Sequence, residues 1–348
     1  MNNKNSILTQ IIVWGIIGFL LLSAFVVLLS RSAFGFPGFP SLTATWGELR
    51  TIQEESFPLD AVSELEFDFS SMDITVYLTK EEELRVKLLA NHDLQPEELF
   101  ASSVENGKVL VKSKQYHSFF RLFSFGAFKK LEVYLPERYG ENLNLKTSSG
   151  NITLPEALAL KSLKLHLSSG DLRGGDVNAE EFNLGVTSGN IRLNTLTSAR
   201  YEMRISSGDT VVEAVAGTGS IGSSSGNIRV GSVSGGEQDI STTSGNIRVD
   251  QFTGYGEIGT QSGTVRIDSA LPQGDMDVRV TSGTVSIELV KEAAVKIEAS
   301  VTSGDIDCDI PLSYDKSGKH ATGQVGENPT AALSIRTTSG EVRISQAN

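Results

Sequence analysis

A Ser-Gly pair recurs along this chain at Ser149, Ser169, Ser188, Ser207, Ser225, Ser244, Ser262, Ser282, Ser303 and Ser339. A serine becomes a nucleophile when a base, usually a histidine held by a carboxylate, takes its proton. Only four histidines are present, His92, His117, His166 and His320, and none lies in a recognisable hydrolase motif. Ten equivalent serines suit a structural ladder, with hydroxyls bonding local backbone groups, better than one active site. The chain therefore reads as a protein without catalytic residues or cofactor. A polysaccharide-acting enzyme would need carboxylates clustered in a groove, and no such cluster stands out along the sequence.

Three other groups of residues have types and spacing that could bind something. In "GDIDCDI", Asp305, Asp307 and Asp309 fall on one face of a strand, and three carboxylates could hold a hard cation such as Ca²⁺. Calcium-binding β-rolls use a nine-residue Gly-Asp repeat, however, whereas the pairs here recur near every nineteen residues, so a solvated outer face is the plainer reading. Cys308 alternates inward between them as a small core residue, and as the single cysteine it has no intramolecular partner. The second group is a slot two residues beyond the polar residue that follows each Gly. Arginine fills it at Arg173, Arg192, Arg229, Arg248, Arg266 and Arg343. Stacked copies would place Arg229, Arg248 and Arg266 about 4.8 Å apart, a stripe suited to an anionic polymer or lipid headgroups. Asp250 and Asp268, two residues further on, offer the alternative of a self-compensating surface. The third group is residues 106–131, with six Lys or Arg and no acid inside a chain of net charge −12. Here Phe119, Phe120, Arg121, Phe123, Phe125, Lys129 and Lys130 suit contact with a membrane surface or a protein partner. Phenylalanines that cap a first coil are the competing reading.

What positions these residues is a repeat. Successive pairs in this series are 20, 19, 19, 18, 19, 18, 20 and 21 residues apart, followed by one gap of 36. Apolar residues alternate before each pair, as at Phe182, Leu184 and Val186, and again after it, as at Ile191 and Leu193. Such period-two alternation marks strands with one buried face. The phase changes across the Gly, so the chain turns a corner there, a task Gly performs cheaply. Each copy is then a strand, a Ser-Gly corner, a second strand and a loose return such as "GSVSGG". Units this short bury their apolar face only by stacking. The expectation is an all-β solenoid, a right-handed β-helix by the usual crossover rule, with residues 225 and 244 at the same place on adjacent coils. Two or three strands per turn both fit the spacing.

"LEFDFSSMDITVYL" reads as a degenerate first copy with Met72 in place of Gly, and "ENGKVLV" as a second half-copy with its corner at Gly107. "PLSYDKSGKHATGQVGENPT" reads as a loop or hairpin helping to cap an open end. At the other terminus, Ile11–Leu29 is nineteen residues without a charge, the length of a transmembrane helix and longer than a signal-peptide core, although Ser30-Arg31-Ser32 keeps cleavage open. The expected organisation is a cytoplasmic segment 1–10, a transmembrane helix or uncleaved signal anchor 11–30, a juxtamembrane linker 31–58, degenerate β coils 59–138 carrying the basic, Phe-rich loop 106–131, and a regular solenoid 139–348. The bulk of the chain would lie outside the cytoplasm on a single-pass cell-membrane anchor. Acidity argues against nucleic acid as a partner. An envelope protein or anionic polymer is expected instead.

The N-terminal apolar segment, "VYLPERYGENLNLKTSSGNITL" and the recurring "SGNI" or "SGDI" corner together resemble a bacterial family of repeat-containing adhesin-like proteins, the toastrack domains of unknown function. The resemblance spans roughly residues 60–348. It implies an extended β-fold and an envelope setting, with an association to envelope-stress systems, and it brings no catalytic residue. The functions left in view are a membrane-anchored binding or scaffolding module of the cell envelope and a surface adhesin recognising glycan or another cell.

Overall fold

Each coil of the repeat is closed by three short stretches of parallel pairing with the next. Between the strands Ile228–Ser244 and Ile247–Ser262, pairing runs from Ile228↔Ile247 to Val230↔Val249, then Ser232↔Gln251 to Ser234↔Thr253, then Glu237↔Tyr255 to Ser244↔Ser262. The return expected to be loose is therefore a third paired side. One buried row lies behind each side: Ile228 and Val230, then Val233, then Gln238, Ile240 and Thr242. The third side stacks Leu158, Val177, Leu196, Val215, Val233, Phe252 and Ala270 in register. Alternation puts the branched residues inside because successive side chains point to opposite faces of a strand.

The computed structural model describes residues 48–114 and 128–347, all within one unit, Gly47–Asn348. Among these residues every regular element is a strand, and no helix is long and apolar enough to cross a membrane. The segment 11–30 and the residues Phe119, Phe120, Arg121, Phe123 and Phe125 lie outside the described residues.

The first coil is Glu64–Ser71 followed by Asp73–Thr79, with Met72 at the corner as expected. Asn142–Ser149 and Ile152–Thr153 stack on it in parallel. Three expectations need correction at this end. The linker does not reach residue 58, since Arg50–Pro58 is a strand antiparallel to Glu83–Ala90. Residues 106–131 are not one loop, because Lys108–Ser113 and Lys129–Pro136 are strands. Gly107 is also not a corner. Asn106 and Gly107 have φ of 52° and 75°, the two positive values of a tight hairpin between Phe100–Glu105 and Lys108–Ser113. Val109 and Val111 consequently lie beside Leu65 and Phe67, on the side before the corner. Lys108–Ser113 and Lys129–Pro136 thus cover the two edges of the first coil in parallel, and the antiparallel strands Phe100–Glu105 and Glu83–Ala90 pair with them on the outside.

At the far end the stacking order departs from the chain order. Ser282 is level with Ser339, and Ser339 with Ser303. The strand Ala331–Gln346 is inserted between Val265–Leu289 and Val295–Cys308. All corners share one pattern, so the repeat alone could not distinguish insertion from sequential stacking. The capping expectation for the polar insertion is met by His320–Val325, which runs antiparallel along Val295–Ser300. That cover stops short of the corner, and Ile306 and Cys308 are half-buried against the core.

Candidate functional site

The corners form a backbone ladder. All ten corner glycines have φ between 128° and 150°. Through the regular stack each glycine N–H donates to the serine carbonyl of the next coil, as Gly226 does to Ser244 at 3.0 Å and Gly245 to Ser262 at 3.0 Å. The side-chain rungs come from the residue after the glycine, whose Oδ1 accepts the backbone N–H of its counterpart on the next coil. This relay runs Asp73, Asn151, Asp171, Asn190, Asp209, Asn227, Asn246, Thr264, with N···O distances of 2.7–3.1 Å. The corner serines are exposed. The hydroxyl that bonds backbone belongs to the inward residue two positions earlier, as when Thr242 donates to Gly226 O at 3.4 Å and Thr260 to Gly245 O at 3.2 Å. The expected serine ladder is thus an Asx and threonine ladder. Its signal was in the sequence, as an Asn or Asp after seven of the ten corner glycines.

The arginine slot stacks as expected, with Arg229 level with Arg248 and Arg248 with Arg266. Asp250 and Asp268 sit between them. Arg229 and Arg248 reach Asp250 at 2.9 and 2.7 Å, Arg248 reaches Asp268 at 2.6 Å, and Arg266 also pairs with Asp268. The column reads as alternating charge rather than as three free cations. The hydrogen bond from Arg248 holds the Asp250 carboxyl below the usual carboxylate range. Its contribution to stability is therefore present above the ordinary carboxylate pKa and lost as pH falls through the lower folded-state value. Asp250→Asn is expected to cost less than about 1 kcal/mol at low salt in urea melts, with the difference shrinking as salt screens the remaining arginines.

On the side before the corner, one outward column carries Lys146, His166, Gly185, Arg204, Gly222, Ser241, Gly259, Arg279 and Arg336 on successive coils. Over three coils, Gly222, Ser241 and Gly259, it has almost no side chain, which leaves an open trough of about 690 Å³. Asp239 and Glu257, level with each other, line one side, and Ser224, Thr243 and Gln261 line the other. Arg204 pairs with Glu202, and Arg279 pairs with Glu257 and with Asp277, the latter at 2.5 Å. Partial burial and the nearby Glu257 push the Asp239 carboxyl up, partly offset by a bond from Ser241.

The Toastrack DUF4097 family model matches residues 62–232 and 218–345, the whole of this ladder. The chain belongs to the toastrack family. Among solved structures, a "putative adhesin" from Parabacteroides distasonis is 13% identical over 86% of this chain and 97% of its own, with a TM-score of 0.44. A "putative lipid binding protein" from the same species is 13% identical over 84% and 96%, with a TM-score of 0.37. A "putative cell adhesion protein" from Clostridium sporogenes is 12% identical over 85% and 99%, with a TM-score of 0.22. No curated protein matches the chain.

The toastrack stack disperses the aspartates of "GDIDCDI". Asp305 and Asp309 are four residues apart, roughly 13 Å along an extended chain, too far for all three carboxylates to converge on one ion that binds oxygen at about 2.3–2.6 Å. Asp305 faces Lys319 at 3.3 Å, and Asp307 is level with Arg343. Among the described residues no group of three His, Cys, Asp or Glu could hold a metal, which corrects the calcium reading. All three are exposed, Asp305 and Asp307 on the strand that ends the stack and Asp309 just past its end, where like charge discourages pairing with a second sheet edge. Lys129 and Lys130 are engaged as well. Lys129 pairs with Glu98 at 3.6 Å, and Lys130 with Glu132 at 3.2 Å, its ammonium 5.6 Å from the centre of the Tyr77 ring.

Proposed function

We propose that this toastrack protein is a binding or scaffolding module of the bacterial cell envelope, and not an enzyme. Residues 11–29 hold it to the cell membrane in a single pass, and its β body stands outside the cytoplasm. The observation that carries this reading is the union of a nineteen-residue uncharged segment with a body that sets out its polar side chains in ordered columns. Such columns form a display surface whose spacing is fixed by the ladder beneath. Several outward rows, the alternating-charge column of Arg229, Arg248 and Arg266 with Asp250 and Asp268 among them, offer an envelope protein a repeated chemistry, and an anionic polymer is the other partner class. A role in envelope stress fits this placement, as does a surface adhesin role, which the trough favours by giving the body a defined concavity.

The test uses the full chain expressed in a bacterial membrane. Alkaline carbonate should leave it in the pellet, whereas a chain lacking residues 11–29 should appear in the supernatant. In a Cys308→Ser background, Ser225→Cys should react with an impermeant maleimide on intact spheroplasts. Release of the full chain by carbonate, or protection of that thiol until lysis, would overturn the assignment.

A further inference from the structure

Gly222 has no structural reason to be glycine. It lies inside the strand Thr210–Ser225, its φ is not positive, and a Cβ built there would meet nothing nearer than 3.9 Å. Glycine in a strand interior weakens the strand, and the neighbouring coil carries Arg204 at this level. Open space above Gly222 is thus kept at some cost to the fold. With Ser241 and Gly259 it forms the trough floor, bounded by Arg204 and Arg279 four rungs apart, roughly 19 Å.

The lining selects a ligand class. Both terminal guanidiniums are paired to acids, and Asp239 adds an uncompensated carboxylate, so the trough carries no net positive charge to attract an anion. The single bulky apolar residue on the lining is Ile205, whose side chain belongs to the core, so the trough has no anchor for an acyl chain or an apolar peptide side chain. What remains is a flat floor, hydroxyls and an amide that both donate and accept, and Asp239, a carboxylate without a basic partner among the described residues. A carboxylate offers about four acceptor positions, so beyond the bond from Ser241 Asp239 can still accept from a pair of adjacent hydroxyls. We propose that the trough over Gly222, Ser241 and Gly259 binds an uncharged oligosaccharide laid along the stack axis, with Asp239 accepting hydrogen bonds from two neighbouring sugar hydroxyls.

This rests on the binding-module reading but fails separately from it, since membrane retention does not depend on the trough. The test is saturation-transfer NMR on the purified full chain with tetramers of β-1,4-linked glucose, mannose, galactose and N-acetylglucosamine at millimolar concentration. At least one tetramer should bind saturably. Gly222→Val should fold with an unchanged or higher melting temperature and lose at least about tenfold in affinity, as should Asp239→Asn. Gln251→Val, exposed on another side of the coil, should bind as the parent does. Failure of all four tetramers to bind, or undiminished binding by well-folded Gly222→Val, would overturn the proposal.

Discussion

Gly226→Ala is expected to lose more than about 4 kcal/mol, or to fail to give a folded chain, whereas Gly222→Ala, four residues earlier in the same strand, should be neutral or gain about 0.4–1 kcal/mol. The two changes are chemically identical, and only position separates them. Gly226 has φ of 139°, and a Cβ there would lie 2.1 Å from the carbonyl oxygen of Gly208 on the previous coil. That oxygen belongs to the stacked corner itself, so relief would require pulling two coils apart. In a solenoid each coil is held by its neighbours, and a broken interface in mid-stack uncouples the halves. Urea denaturation followed by circular dichroism should therefore show a loss of amplitude or a second transition for Gly226→Ala. It should show a parent-like single curve for Gly222→Ala. Equal tolerance of the two would mean that the corners do not stack at the stated distance.

The second large effect is expected inside the coil. Gln238 is fully buried, as is the Tyr201 ring two coils away. The Tyr201 hydroxyl donates to Gln238 Oε1, and Gln238 Nε2 donates to Gly217 O at 2.6 Å and Gly236 O at 3.2 Å. Burial pushes the Tyr201 phenol well above its ordinary pKa, so it remains a donor throughout the accessible pH range. Gln238→Ala strips partners from three polar groups and leaves a cavity, with an expected loss of about 3–5 kcal/mol. Tyr201→Phe in the same chain removes one stranded hydroxyl and should recover about 1–2 kcal/mol of that loss, which a double-mutant cycle in urea would show. Strict additivity would mean the two side chains do not meet.

The difference between those two sites shows what a single sequence can and cannot reveal. The corners were legible because a Ser-Gly pair, a phase change and branched residues recur at a fixed period, and each is a local consequence of chain geometry. The three-sided coil was only half legible. Ser232–Ser234 is short and Gly-flanked, so it resembled a loose return until its pairing with Gln251–Thr253 was seen. Gln238 and Tyr201 are 37 residues apart and belong to different coils, and no periodic signal marks a polar residue at an inward slot as one that will find a partner. The trough was invisible for a related reason. Gly222 and Gly259 looked like two glycines in a glycine-rich chain, and only registered coils show them on either side of Ser241, in a column that carries arginine at each end of this stretch. The adjacent carboxylates Asp239 and Glu257 emerged in the same way, from register rather than spacing. At the N-terminal end the chain abandons the repeat for antiparallel strands, so the pattern that identified the solenoid misplaced Gly107. At the other end the uniformity of the corners concealed the insertion of Ala331–Gln346.

That insertion gives the most direct test of the stacked-coil account, because it predicts a neighbour that chain order does not. In a Cys308→Ser background, Ser282→Cys is combined either with Ser339→Cys or with Ser303→Cys, and each double variant is oxidised and analysed by non-reducing peptide mapping. Adjacent rungs lie about 4.8 Å apart, within reach of a disulfide, whereas next-but-one rungs lie roughly 10 Å apart, outside it. The account predicts a fast, near-complete disulfide between positions 282 and 339 and none between 282 and 303. A disulfide between 282 and 303, with none to 339, would mean that the coils stack in chain order and that the register described above is wrong.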